Sequence, residues 1–206
     1  MSITYPIEFP SDKYVTEFTY YLIQAVGISE SPYTFQQQTF EQQGSVWQIE
    51  ITIETYSREE AEAYNTFLLK LNGLKGSFTI PILGAEEPRG SAGGTPLVNG
   101  ASQTGYDLNI DGCSVSTTNW LREGDWIQLG SGADSRLHKV MNDVDTNASG
   151  EATLTLMPKI SEAPADNDPV IVTSAKGVFK LVKKENPIST TPDGRHRIGF
   201  TARENK

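Results

Sequence analysis

Apolar and polar residues alternate strictly over residues 47–53, and this pattern constrains the fold more than any other feature. The alternating residues are, in order, Trp47, Gln48, Ile49, Glu50, Ile51, Thr52 and Ile53. A period of two places one set of side chains on each face of a β-strand. The sequence therefore predicts a strand with one buried face and one solvated face.

One amphipathic helix is predicted directly after this strand. Ser57 and Glu60 have the spacing of a capping box, in which each side chain bonds the other residue's backbone N–H. Asn72-Gly73 is typical of a helix end. An apolar stripe at helical spacing comprises Ala61, Tyr64, Phe67, Leu68 and Leu71. We expect the stripe to pack on a sheet, with a groove for a partner as the alternative.

The rest of the chain is predicted to be β-rich. Gly44, Pro81 and the turn at residues 29–32 mark the ends of predicted strands in the outer part of the chain. Polar or glycine-rich turns separate the predicted strands in the middle of the chain. The outer strands are predicted at 14–21, 33–40, 77–83, 177–182 and 196–202, and the inner strands at 107–110, 126–129, 136–141, 152–157 and 170–173. The short inner strands predict a small all-β barrel or sandwich.

A change in composition marks the middle of the chain as a separate unit. Residues 84–105 hold six glycines and two prolines, which predicts a flexible, exposed connector. Residues 86–176 hold 13 acidic and 6 basic residues, net −7, and the rest holds 13 and 11, net −2. The predicted domains are therefore residues 1–85 plus 176–206, and an inserted domain at residues 86–175.

Overall charge and cysteine content narrow the functional classes. The net charge of −9, from 17 basic and 26 acidic residues, disfavours sequence-independent binding to nucleic acid, which needs a clustered basic surface. Cys113 is the only cysteine, so an intramolecular disulfide is impossible, as suits a reducing cytoplasm. We expect no membrane segment, because no apolar run approaches the ~20 residues required, and no secretory signal is visible.

The sequence offers few groups for catalysis, so we expect no enzyme and no catalytic, cofactor-binding or metal-binding residues. His138 and His196 fall in different predicted domains, and no metal-ligand spacing is present. Cys113 with His138 is the one pair suited to nucleophilic chemistry, if the fold brings them together. Trp120, on the inserted barrel, is the candidate contact for a host glycan, because an exposed indole suits a sugar ring.

Several phrases of the sequence resemble a known family of siphophage tail proteins. They are 3–10, 31–38, 54–55, 67–73, 88–100, 121–130 and 175–181, which read ITYPIEFP, SPYTFQQQ, ET, FLLKLNG, PRGSAGGTPLVNG, LREGDWIQLG and AKGVFKL. Together they extend over nearly the whole chain. The family is that of the distal tail proteins.

The resemblance implies a split β barrel or sandwich with one α-helix, carrying an inserted barrel of the oligonucleotide/oligosaccharide-binding type. It implies a structural virion protein, assembled in the host cytoplasm, that forms a ring, usually hexameric, at the distal end of the tail tube. The ring would join the tube protein to the tip, hub or fibre assembly, and DNA would pass through without specific binding. Tyr5 and Phe9, in the N-terminal arm, are candidate ring contacts. The alternative function is a host-surface carbohydrate-binding module.

Overall fold

The structure is a computed structural model that describes residues 3–205, apart from the side chains of residues 41–43. In chain order its elements are β1 (Ile7–Glu8), β2 (Val15–Glu30), β3 (Gln37–Thr55), α1 (Arg58–Leu71), β4 (Ser77–Pro81), β5 (Gly94–Val98), β6 (Gly105–Cys113), β7 (Trp126–Leu129), β8 (Arg136–Val140), β9 (Ala152–Ile160), β10 (Val170–Ile171), β11 (Lys176–Leu181), β12 (Ile188–Thr190) and β13 (His196–Glu204), with a short 3-10 turn at Gly132–Asp134.

The protein is mainly β, as predicted. Strands make up 47 % of the chain, and α1 is the one α-helix within the described residues. The strands form two sheets. Seven belong to the first, in the order β1-β4-β11-β13-β3-β2 with β12 also paired to β13, and six belong to the second.

One face of the first sheet is buried under α1. The alternation of apolar and polar residues over 47–53 explains this burial, because it places the apolar side chains of β3 on that face. The apolar residues of 47–53 are all buried, and they form one core with the helix and with β4, β11 and β13. All five residues of the predicted helix stripe are buried in the same layer. Asn72 ends the helix in the left-handed conformation at φ 51°, which confirms the predicted end.

The predicted capping box is wrong in its bonding. Ser57 occupies the N-cap position but its side chain makes no cap hydrogen bond. Glu60 does not turn back to Ser57, because its carboxylate accepts from two hydroxyls: the Oγ1 of Thr55, at 2.6 Å, and the phenol of Tyr14. The Glu60 side chain thus joins the helix start to β3 and to Tyr14, the residue before β2.

Residues 37–40 of the first predicted strand and the whole predicted strand at 47–53 belong to one strand, β3, whereas residues 33–36 lie in the loop before it. β3 runs through Gly44 without a break, and its partner β2 continues to Glu30. The pairing register shifts between Gln24 and Val26, which is the signature of a β-bulge. Gly44 therefore lies within the irregularity of a continuous strand, where we had expected the strand to end.

The second sheet curls into a nearly closed six-stranded barrel, in the order β10-β7-β8-β9-β6-β5. A bridge between Leu97 and Pro169 joins the two outermost strands. It is reinforced by Val98, whose N–H donates to the Asp168 carbonyl at 2.9 Å and whose carbonyl accepts from the Asn167 N–H at 2.9 Å. Closure removes the free edges that an open sheet of this size would expose.

The glycine-rich segment 84–105 is not a flexible connector. Its second half contains β5, and its first half is fixed by the buried carboxylate of Asp125. That carboxylate accepts from the backbone N–H groups of Arg89, at 2.9 Å, and Gly90, at 3.2 Å. A Cβ at Gly90 would lie only 2.3 Å from the Trp120 carbonyl oxygen, so glycine serves close packing there.

The two sheets divide the chain at Pro81 and Lys176, yet they also share a core. Trp126 and Leu137 belong to strands of the barrel, but both are buried in the apolar cluster of the first sheet. A separate cluster fills the barrel interior. The division into two domains therefore stays a prediction, since the barrel is packed against the first sheet rather than tethered to it.

Substitution of Asp125 tests whether its carboxylate fixes the first half of residues 84–105 to the barrel. We expect Asp125→Ala to lower the free energy of unfolding by about 2–4 kcal/mol, because the N–H groups of Arg89, Gly90 and Arg122 lose their acceptor. Urea denaturation followed by circular dichroism measures the change. Glu87→Ala, an exposed acid in the same segment, is the control and should change stability by less than about 0.5 kcal/mol. Equal effects of the two substitutions would contradict the assignment.

Candidate interaction surface

The end of the β2–β3 hairpin is the most unusual surface of the described residues. The two strands pair without interruption from Val26 to Glu30, and the loop Ser31–Gln36 joins them. β2 is the last strand of the first sheet, so its outer edge pairs with no described strand. A long strand edge of this kind presents unpaired N–H and C=O groups.

Apolar side chains lie exposed on both faces of this hairpin end. Ile28 pairs directly with Thr39, whereas Phe40 pairs with Gly27, so Ile28 and Phe40 lie on opposite faces. Ile28 is 65 % exposed and Phe40 is 53 % exposed, and Val26 is similarly exposed. Exposed apolar side chains on both faces of a two-stranded hairpin add little to its stability in water. Exposed apolar side chains grouped in this way are typical of a protein interaction surface.

The loop at the tip of the hairpin adds two aromatic rings. Tyr33 is 91 % exposed and Phe35 is 74 % exposed. The loop is ordered by its own hydrogen bonds: the Phe35 N–H donates to the Ser31 carbonyl at 2.9 Å, and the Ser31 N–H donates to the Gln36 carbonyl at 3.0 Å. We define Val26, Ile28, Tyr33, Phe35 and Phe40 as the hairpin patch.

The base of the same hairpin is held against the barrel by an aromatic cluster. Trp47 and Trp126 pack edge to face with their ring centroids 4.7 Å apart, and the Tyr20 ring lies 5.4 Å from that of Trp126. The Lys139 ammonium lies 5.1 Å from the centroid of the Trp126 ring. The hairpin is thus anchored at its base and projects only at its end.

A buried glutamate completes this junction. Oε1 of Glu204, in β13, accepts from the Leu137 N–H of the barrel at 2.9 Å, and Oε2 accepts from the Trp47 N–H at 3.4 Å. The Trp47 indole donates to the Leu137 carbonyl at 3.0 Å. Three strands from two sheets therefore meet through hydrogen bonds that water does not reach.

Trp120 does not provide the expected glycan contact. Its side chain is 0 % exposed and lies in the barrel core, and its indole N–H donates to the Gly93 carbonyl at 2.9 Å. A sugar ring could stack only on an exposed indole face, and the Trp120 ring is not accessible. The expectation at this residue is wrong because Trp120 is part of the buried core of the barrel.

Tyr5 and Phe9 lie in the N-terminal arm and make contacts within their own chain. The Tyr5 hydroxyl donates to the Lys70 carbonyl at 2.6 Å. The Phe9 ring packs against Phe67 of the helix, with centroids 5.5 Å apart, and against Phe78 of β4. Both side chains are half-buried. Their role as ring contacts stays a prediction.

Cys113 and His138 have separate surroundings. Cys113 is buried at the end of β6, and burial, aided by the negative charge of Asp111, raises the pKa of its thiol to about 11. The Nδ1 of His138, in β8, lies 2.7 Å from the Pro158 carbonyl. A buried thiol that stays protonated is a poor nucleophile.

Among the described residues, no group of three or more His, Cys, Asp or Glu side chains is placed to hold a metal ion. Within the same residues, no helix has the length and apolar character needed to span a membrane.

The sequence matches no protein-family model, and no curated protein is significantly similar to it.

Sequence reasoning missed the hairpin patch for a local reason. It ended the first strand near residue 21 and placed a turn at residues 29–32, whereas β2 runs to Glu30 and the loop begins at Ser31. The available signal was the run of residues 20–28, which contains β-formers and no proline.

Alkylation of Cys113 tests the environment of the thiol. A rise in pKa from 9.0 to about 11 lowers the thiolate fraction near pH 8 by ~100-fold relative to the unfolded chain. We expect iodoacetamide to modify the native protein at least ~100-fold more slowly than the urea-unfolded protein. Mass spectrometry over time measures both rates, and similar rates in the two states would contradict the assignment.

Proposed function

We propose that the chain is a non-enzymatic structural protein of a phage tail, which forms a ring at the distal end of the tail tube. In this role it joins the tube protein to the tip, hub or fibre assembly, and it resides in the virion after assembly in the host cytoplasm. The observation that carries the proposal is the hairpin patch together with the unpaired edge of β2. In the proposed ring, neighbouring copies of the chain cover both of them.

The two ends of the first sheet favour a ring over a simple pair. The sheet ends at β2 on one side and at β1 on the other, and these edges differ in length and side chains. A contact between unlike edges is heterologous, and a heterologous contact closes into a ring when the rotation between copies permits it. Six copies is the number that the resemblance to distal tail proteins implies.

The finer description of the fold belongs to the same proposal. In it, the first sheet with α1 is the split barrel or sandwich of a ring-forming domain, and the six-stranded barrel is an inserted unit of the oligonucleotide/oligosaccharide-binding type. The barrel is packed on the first sheet through Trp47, Leu137 and Glu204. Each copy would therefore enter the ring as one rigid block.

Charge is compatible with a channel through which DNA passes without specific binding. On the polar face of the first sheet, the Arg203 guanidinium donates twice to the Gln48 side chain, and Arg197 lies 3.5 Å from Glu54. The chain as a whole carries −9, which disfavours a continuous basic surface for phosphates.

Light scattering with negative-stain imaging tests the proposal. We expect a closed ring with a mass of about 136 kDa, six times the 22.6 kDa of one chain. The double variant Ile28→Lys with Phe40→Lys should stay monomeric, because it places charge on both faces of the hairpin end. Both side chains are exposed, so its melting temperature should be close to that of the wild-type monomer.

Leu69→Lys is the matched control, since Leu69 is an exposed apolar residue on α1, away from the hairpin. It should assemble like the wild type. A wild-type chain that stays monomeric at high protein concentration, or a double variant that assembles normally, would contradict the proposal.

A further inference from the structure

A groove lies at the end of the first sheet that is opposite to the hairpin patch. It has a volume of about 570 Å³ and is lined by the N-terminal arm and by α1. Ile7 and Glu8, two of its lining residues, form β1, the last described strand at this end. The hairpin belongs to β2 and β3 at the other end. One sheet therefore carries a projecting surface at one end and a recessed surface at the other.

Apolar groups line this groove from both the arm and the helix. Ile7 and Pro10 contribute from the arm, and Ala63 and Phe67 contribute from α1. The lining residues of α1 recur at intervals of one and three residues, which places them on a single helix face: Glu59, Glu62, Ala63, Thr66, Phe67 and Lys70. Ala63 and Thr66 are exposed and have short side chains, so the groove has room for a larger side chain of a partner.

The charges beside the groove are largely balanced within the chain. The Lys176 ammonium pairs with the Glu8 carboxylate, and the Arg58 Nε lies 3.8 Å from Oε1 of Glu62. The third acid of the groove and its one lysine carry opposite charges. Electrostatic complementarity selects partners, and a groove with balanced charges suits an occupant with little charge of its own.

The hairpin end has that character. Residues 26–40 contain one charged residue, Glu30, and residues 14–57 contain neither lysine nor arginine. The lack of cations disfavours an anionic lipid surface or a nucleic acid as the partner of the hairpin. Tyr33 and Phe35 offer exposed apolar rings, and the Tyr33 phenol can also donate to a carboxylate at the rim of the groove.

The loop at the hairpin tip holds its rings in a fixed position. Phe35 has a φ of 54°, in the left-handed region that bulky side chains rarely adopt. The loop is fixed by its backbone hydrogen bonds and by the Thr34 N–H, which donates to the Ser31 hydroxyl at 3.3 Å. Backbone conformations of this kind concentrate at binding sites. The paired residues Val26–Glu30 place the loop about 17 Å beyond the register shift, at ~3.4 Å per residue.

We propose that each copy of the chain inserts Tyr33 and Phe35 into the groove between the N-terminal arm and α1 of the next copy. Because the two surfaces lie at opposite ends of one sheet, every copy gives its hairpin to one neighbour and receives a hairpin from the other. This is the head-to-tail contact that a ring requires. Aromatic rings seated in a neighbour's pocket are typical anchors of an interface. The inference rests on the ring proposed above and names the two surfaces that form it.

Cross-linking between single-cysteine variants of the full chain tests this contact. Thr34→Cys lies at the hairpin tip and Thr66→Cys lies in the groove, and both threonines are exposed, so each variant should fold and assemble as the wild type does. A mixture of the two, treated with a short bismaleimide, should give a cross-linked pair of about 45 kDa, twice the mass of 22.6 kDa. Each variant alone should give at least ~10-fold less of this pair, because like positions do not meet in a head-to-tail contact.

Thr118→Cys is the matched control, since Thr118 is an exposed threonine in the inserted segment and does not line the groove. Mixed with Thr34→Cys, it should also give at least ~10-fold less cross-linked pair than Thr66→Cys does. The native Cys113 is buried and should react slowly in every variant.

The outcomes separate this inference from the ring itself. Rings in negative stain without a cross-link between positions 34 and 66 would overturn the inference and leave the ring proposal intact. Strong cross-linking of Thr34→Cys alone would overturn it by showing that hairpins meet each other. Monomers throughout would contradict the ring and the inference together. Flotation with phosphatidylcholine vesicles, lost in the Ile28→Lys, Phe40→Lys variant, would assign the hairpin patch to a lipid surface and overturn the inference.

Discussion

The pairing of β4 with β11 is the constraint on which the rest of the architecture depends. Pro81, the last residue of β4, lies opposite Lys176, the first residue of β11, so the two ends of the inserted segment start from neighbouring positions. The Ser174 N–H donates to the Glu86 carbonyl at 2.6 Å and holds together the two connections between the first sheet and the barrel. An insertion at such a point leaves the first sheet and its core intact, since no strand of that sheet has to be displaced.

With the two connections held together, packing between the barrel and the core of the first sheet fixes the orientation of the barrel. Trp126 and Leu137 point out of the barrel and into the core of the first sheet, while Ile127 and Val140 point inward. The alternation of a β-strand thus supplies two cores from one strand pair. The Glu204 carboxylate then fixes the angle through backbone N–H groups of both sheets. A rigid junction of this kind is compatible with the proposed role as an adaptor between two assemblies.

The sequence predicted the features that local periodicity determines. The strand at 47–53, the helix with its five buried residues and the turn at Asn72 follow from spacing alone. What it could not predict depends on distant partners: Glu60 bonds Thr55 and Tyr14 in place of Ser57, and the glycine-rich segment is fixed by Asp125. Trp120 failed as a glycan contact for the same reason, because burial is a property of the whole barrel.

Hydrogen exchange tests most directly whether copies of the chain assemble through the hairpin patch and the edge of β2. In a dilute monomer, the backbone N–H groups of residues 15–30 that do not pair with β3 should exchange rapidly, since that edge faces solvent. In the assembled particle the same groups should exchange far more slowly, because a neighbouring copy covers the edge and both faces of the hairpin. Rapid exchange of these groups in an assembled particle would contradict the account, since assembly would then use another surface.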